Sequence, residues 1–151
     1  MPERTVFKTY QFSLIICKNP KTGKFLALNE TKNRGWWIPG GAVDAGESFK
    51  VAAHRECMEE AGVPIILKGI LAIDHFLSGA DGVKMRVIYY AEPVDQDVIP
   101  KQVADKESLE ARWVTLEEFS KLDNIRGDEL LEFGEYVEEG GTIHPMSLLN
   151  E

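Results

Sequence analysis

The stretch "GGAVDAGESFKVAAHRECMEEAGV", residues 40–63, sets a glycine pair ahead of a helix-like segment that ends in a crowd of acids. Ser48 is a good N-cap, and Gly62 stands where a left-handed C-terminal cap belongs. Between them Phe49, Ala52, Ala53, Cys57 and Ala61 recur at helical spacing, so a helix with small residues turned toward a sheet is expected. Glu56, Glu59 and Glu60 fall at i, i+3 and i+4, which puts three carboxylates on one face. Unpaired like charges at that spacing destabilise a helix modestly. Hard oxygen donors suit Mg²⁺ or Mn²⁺, and Mg²⁺ commonly joins carboxylates to phosphates. Taken alone, the cluster reads more readily as a solvated helix face than as a metal site.

Outward from this helix the pattern turns to strands. "QFSLIICKNPKTGKFLALNE" holds two apolar runs around Asn19, Pro20 and Gly23, and reads as a β-hairpin. Trp36, Trp37 and Ile38 form a short strand that Pro39 ends. Downstream, residues 64–78 and 84–94 are two further β-branched runs joined by a "GADG" turn. A short strand is expected around Trp113, with Thr115 capping a helical turn. A terminal helix follows in residues 127–141, interrupted by Gly134. The order is β, β, β, α, β, β, β, α with short connections, which is α/β with helices on a mixed sheet. The 151 residues are expected to form a single domain, 1–151.

Bulk composition narrows the function. A net charge of −8 argues against stable association with nucleic acid or with anionic membranes. A phosphate-rich ligand would then need bound cations. Cys17 and Cys57 are too few for a disulfide framework, so both are expected to be reduced and buried. The apolar run from Phe12 to Cys17 is too short for a membrane span and lacks a cleavage site. A cytoplasmic location is the expectation, as monomer or homodimer.

Spacing then decides between the two readings of the acidic face. Gly41 is followed after five residues by Glu47, and after seven more by Arg55 and Glu56. Cys57, Glu59, Glu60, Gly62 and Val63 complete the series. This resembles the Nudix box, G-x5-E-x7-R-E-U-x-E-E-x-G-U, at every fixed position. Seven specified residues at fixed spacing arise by chance with a probability on the order of one in a million. Cys57 stands where the family usually has a bulkier aliphatic.

The resemblance implies a Nudix-type α/β/α sandwich with a mixed β-sheet. It also implies a metal-dependent hydrolase, MutT-like in size, that cuts the P–O–P bridge of a nucleoside diphosphate joined to another group. By motif position Glu56, Glu59 and Glu60 would be metal ligands, with the Gly40 carbonyl beside them, and Mg²⁺ (or Mn²⁺) the cofactor. Arg55 would orient the acidic cluster through Glu47 or a neighbouring carboxylate, and Arg55 and Glu47 both count with the three box acids as candidate catalytic residues. The water-activating base stays open between a box glutamate and the acidic pair Glu107 and Glu110, which would also be candidate ligands. Trp36 and Trp37 face opposite ways in a strand, so one is expected in the core and the other to stack on the substrate. Where relatives often carry basic residues after the second strand, this chain has Asn29 and Glu30. Lys32 and Arg34 are the nearest substitutes, with Lys84 and Arg86 on a later strand. A nucleoside triphosphate, ordinary or modified, is the leading substrate. ADP-ribose, nucleotide sugars, dinucleoside polyphosphates and a non-catalytic nucleotide sensor are the alternatives.

Overall fold

In the first strand, β1 (Lys8–Cys17), side chains of both faces are buried over the second half. Ile15 and Cys17 point into one cluster, Leu14 and Ile16 into another. Such a strand needs cover on both sides, and the rest of the chain supplies it. The computed structural model describes residues 2–151. β2 (Phe25–Glu30) and β6 (Gly82–Pro93) divide their side chains between the same two clusters. On one side lies α1 (Phe49–Ala61), contributing Phe49, Ala53, Cys57 and Ala61. On the other lie α2 (Leu116–Ser120) and α3 (Glu129–Glu138), contributing Phe119 and Leu130. The architecture is the α/β/α sandwich expected, and Cys17 and Cys57 are free and buried.

The strands form two sheets. With β3 (Gly35–Trp37), β4 (Gly40–Ala42), β5 (Ile65–Ser78) and β7 (Ser108–Val114), the orders are β4-β1-β6-β5 and β3-β2-β7. The first is mixed, because β1 runs parallel to β6 and antiparallel to β4. The expected β1–β2 hairpin is not formed. The two strands meet in one bridge, Lys18 to Phe25, and then part into different sheets. Their turn is closed by Asn19, whose side-chain amide donates to Gln96 O at 2.8 Å. Each strand gains longer pairing elsewhere: β1 with β6 along its whole length, β2 with β7. The hairpin between β5 and β6 is as expected.

The glycine pair forms β4 instead of a turn. A Cβ on Gly40 would collide with Ser13 O and Leu14, so only glycine lets this segment lie against β1. Gly134, inside α3, has a related role. A Cβ there would come within 2.6 Å of Leu116 Cδ2, so its absence lets α3 close onto α2.

Helix α1 is capped at both ends. Ser48 Oγ accepts from Val51 N at 3.2 Å, and Glu151 accepts from Phe49 N at 2.8 Å and Lys50 N at 3.0 Å. At the other end Lys101 Nζ donates to Glu59 O, Ser108 Oγ to Glu60 O and Lys101 N to Ala61 O. Gly62 then turns left-handed with φ 67°, and its N–H donates to Met58 O. No atom stands closer than 3.8 Å to a Cβ added at Gly62, so backbone strain alone opposes substitution. Gly62→Ala should lower unfolding free energy by about 1 kcal/mol. Urea denaturation should show a lower midpoint with an unchanged m-value.

Candidate active site

The acidic face of α1 is turned against β4. Glu60 is 6% exposed, and its Oε1 accepts from the Gly40 N–H at 2.8 Å. Ile15 N–H donates to Pro39 O and Val43 N–H to Gln11 O, so residues 39 and 43 bond to β1. The alternation of an antiparallel ladder turns Gly40 the other way, its N–H and carbonyl both off the ladder. Gly41 leaves room for Glu56: a Cβ there would come within 2.6 Å of Glu56 Oε1. Glu56 and Glu60 face each other across this notch, close enough to share a hydrogen bond.

Burial pushes both carboxyls above the ordinary carboxylate range. Glu60 reaches about 9, because its burial and the fields of Glu56 and Glu30 outweigh the Gly40 N–H.

Arg55 organises the outer side of the cluster. Its Nε and Nη2 donate to the two oxygens of Glu47 at 2.7 and 2.8 Å. Nη1 reaches Glu56 at 3.0 Å and Glu59 at 3.1 Å, and Nη2 also reaches Ala42 O at 3.1 Å. Hydrogen bonding from Arg55, then from the Asp44 N–H, lowers the Glu47 carboxyl to about 2. Glu47 is thereby a permanently ionised clamp on Arg55.

Glu56, Glu60 and β4 form one end of a cavity of about 570 Å³, which Glu47, Arg55 and Glu59 do not line. Arg34, Trp37, Arg86 and Glu107, four of the residues singled out from sequence, line it. Lys32 lies outside it in an exposed turn, with φ 58°. Trp36 is 7% exposed in the core beneath Arg112, which lies 4.7 Å from its ring centroid. Glu110 is bonded to that same Arg112 at 2.7 Å and does not reach the cavity. Trp37 is therefore the tryptophan of the pair that faces the cavity.

Phe12 and Phe76 add aromatic surface, and Lys84, Lys106 and Arg126 add charge. Arg86 is bonded to Asp74 and Arg126 to Glu30. Arg34, Lys84 and Lys106 have no carboxylate partner among the described residues. The loop bearing Lys106 and Glu107 is folded over Asp105, whose Oδ1 accepts from Glu107 N and Ser108 N. Asp105 is in turn held by Lys101 at 2.7 Å.

Sequence reasoning did not single out Arg126 or Lys106, and it read Glu30 only as a missing cation. Arg126 had a signal, being the single Lys or Arg after Lys121. Lys106 and Glu30 had none, because only folding brings β2 and the 101–108 loop to the mouth of α1.

The donor set fits a hard divalent cation in its chemistry: the buried carboxylate of Glu60, the partly buried one of Glu56 and a backbone carbonyl turned off its ladder. Among the described residues no three acidic, histidine or cysteine side chains converge to cage an ion without other donors. Glu59 is held by Arg55 instead.

Because the folded-state carboxyl of Glu60 titrates near 9 against an ordinary value of 4.5, the folded protein binds more protons across that interval. Stability of the chelator-treated protein should therefore be full below about pH 4.5 and fall as pH rises toward 9. Glu60→Gln should flatten this slope in thermal melts. A slope unchanged in that variant would show that the burial of Glu60 is not its source.

The NUDIX domain pattern matches residues 9–132. The chain is 26% identical over 139 residues to the "Phosphatase NudJ" of Shigella boydii, covering 91% of this chain and 89% of that protein. Among solved structures it resembles a NUDIX hydrolase from Nitrosomonas europaea with a TM-score of 0.73 and 22% identity. That match covers 95% of this chain and 97% of the other. The Bacillus subtilis pyrophosphohydrolase BsRppH is similar with a TM-score of 0.67 and 23% identity, covering 95% and 90%.

Proposed function

The chain belongs to the NUDIX family and is a hydrolase of diphosphate bonds, and from that premise we propose that it cleaves the P–O–P bridge of a nucleoside triphosphate, ordinary or modified. The observation that carries this reading is the pair of buried Glu60 and partly buried Glu56, set at one end of a cavity whose walls carry cations and aromatic rings. Glu56, Glu60 and the Gly40 carbonyl would hold Mg²⁺, or Mn²⁺ in its place, with Glu59 as the third acid of the cluster. When bound, such an ion neutralises diphosphate charge and supplies an activated water.

The chain's own residues do the positioning. Arg55 fixes the side chains of Glu56 and Glu59 and ties them to β4 through Ala42 O. Glu47 keeps Arg55 from rotating away. Arg34, Lys84 and Lys106, free of carboxylate partners among the described residues, draw a polyanion into an otherwise acidic protein. Trp37, with Phe12 and Phe76, offers flat surface for the ring of the ligand. Glu107 lines the cavity outside the box, and we assign to it the acceptance of a proton from the attacking water. Glu110, committed to Arg112, has no such role.

The whole chain, 1–151, acts as one catalytic unit in this reading. No described helix is long and apolar enough to cross a membrane. Buried free cysteines fit the reducing cytoplasm.

A screen of nucleoside triphosphates, nucleotide sugars, ADP-ribose and dinucleoside polyphosphates with Mg²⁺ should release phosphate or pyrophosphate from the triphosphates most efficiently. Binding without release from any of them would favour a sensor. On the best substrate, Glu107→Gln should lower kcat by about a hundredfold or more. Glu110→Gln should stay near wild type. Equal effects of the two substitutions would refute the assignment of Glu107.

A further inference from the structure

Arg126 lies beyond the Gly41–Val63 motif, and the fold holds it by three separate means. Its backbone is docked on the free edge of β3: Trp36 N donates to Asn124 O at 2.8 Å, and Arg126 N donates to Trp36 O at 2.9 Å. Gly35, at φ 98°, makes that docking possible, since a Cβ there would overlap Asn124 O. The guanidinium lies over Trp37, 4.2 Å from the ring centroid. Nη1 bonds Glu30 at 2.5 Å, and Glu30 is 4% exposed.

Trp37 is itself fixed, because its Nε1 donates to Glu129 at 3.0 Å. The same carboxylate lies 3.7 Å from Arg86, which Asp74 holds from the other side at 2.8 Å. A continuous chain of contacts thus runs from Asp74 through Arg86, Glu129, Trp37 and Arg126 to Glu30. It ties both sheets to α3 and presents two guanidinium groups to one cavity. Among the described residues only one guanidinium nitrogen of Arg126 is bonded to protein, so its other donors remain for a ligand.

The neutral side chains that ordinarily read a base edge are missing from this cavity. Among the described residues no Asn, Gln, Ser, Thr, Tyr or His lines it. Phe12 pairs with Ala42 on one side and Arg86 on the other, so Arg86 stands two strands, about 10 Å, from β4. A ligand held at both ends must carry charge over that span.

We propose that Arg126, with Arg86, is a specificity-determining residue that reads the phosphate chain of the substrate, so that ligands are sorted by phosphate charge while their ring is stacked and its edge goes unread. This rests on the nucleotide hydrolase reading above. Arginine fits the task because a planar guanidinium can stack and bond phosphate oxygens at once, which a lysine ammonium cannot.

The test compares wild type, Arg126→Lys and the paired change Glu30→Gln with Arg126→Gln, which leaves no buried charge alone. Steady-state kinetics are measured with the adenine, guanine, cytosine and uracil nucleoside triphosphates and diphosphates. Calorimetry on the same ligands gives Kd, and thermal melts check folding. Both variants should raise KM and Kd for triphosphates by about tenfold or more, the worth of a charge-assisted hydrogen bond. The effect on diphosphates should be smaller, kcat should change little, and the four bases should differ little in wild type.

Unchanged KM and Kd in a folded variant would overturn the proposal. So would equal losses for triphosphates and diphosphates, or strong preference of wild type for one base. Wild-type protein that binds triphosphates without cleaving them would sink the hydrolytic reading alone, and Kd would still decide the role of Arg126.

Discussion

Arg55 donates from one guanidinium to Glu47, Glu56, Glu59 and the carbonyl of Ala42. Three carboxylates on one face of α1 repel one another, and burial makes this worse for Glu56 and Glu60. Arg55 offsets part of that repulsion and fastens the helix to β4. The glycines of β4 complete the arrangement, because Gly40 supplies an N–H to Glu60 and Gly41 leaves space for Glu56. Replace Gly40 or Gly41 and the pair loses its backbone partner or its room; replace Arg55 and Glu56 loses its cation.

Everything else in the fold supports that junction. The two ends of α1 are held by residues far away in sequence, Glu151 at its N-terminus and Lys101 with Ser108 at its C-terminus. The second of these contacts brings in the loop bearing Lys106 and Glu107. The mixed sheet provides the floor of the cavity through Phe12, Phe76 and Arg86. The β3-β2-β7 sheet provides the facing wall through Glu30 and Trp37. An acidic protein thereby gathers a local positive rim around a negative notch, an arrangement suited to a polyanion that meets a cation.

Local sequence was enough for α1, its two caps and the spacing of its acids, because helical periodicity and capping chemistry act within a few residues. The β5–β6 hairpin and the capped turn at Thr115 were legible for the same reason. The β1–β2 hairpin was misread: its turn is real, but partner choice depends on strands as distant as β6 and β7. β4 was missed because glycines carry no strand signal, and their value here is the side chain they lack. Trp36 and Trp37 were correctly expected to face opposite ways, yet which of them meets the cavity follows from where Arg112 and Arg126 come to lie. Glu30 and Lys106 were invisible as site residues, since their neighbours at the cavity come from remote segments.

We propose that Glu56 and Glu60, set against Gly40, form the cradle for a divalent cation. Calorimetric titration of Mn²⁺ into metal-free protein, wild type and Glu60→Gln, tests it most directly at a pH where a buried carboxyl can ionise. Wild type should bind Mn²⁺ and the folded variant should lose most of that affinity. Equal affinity in the two folded proteins would contradict the claim.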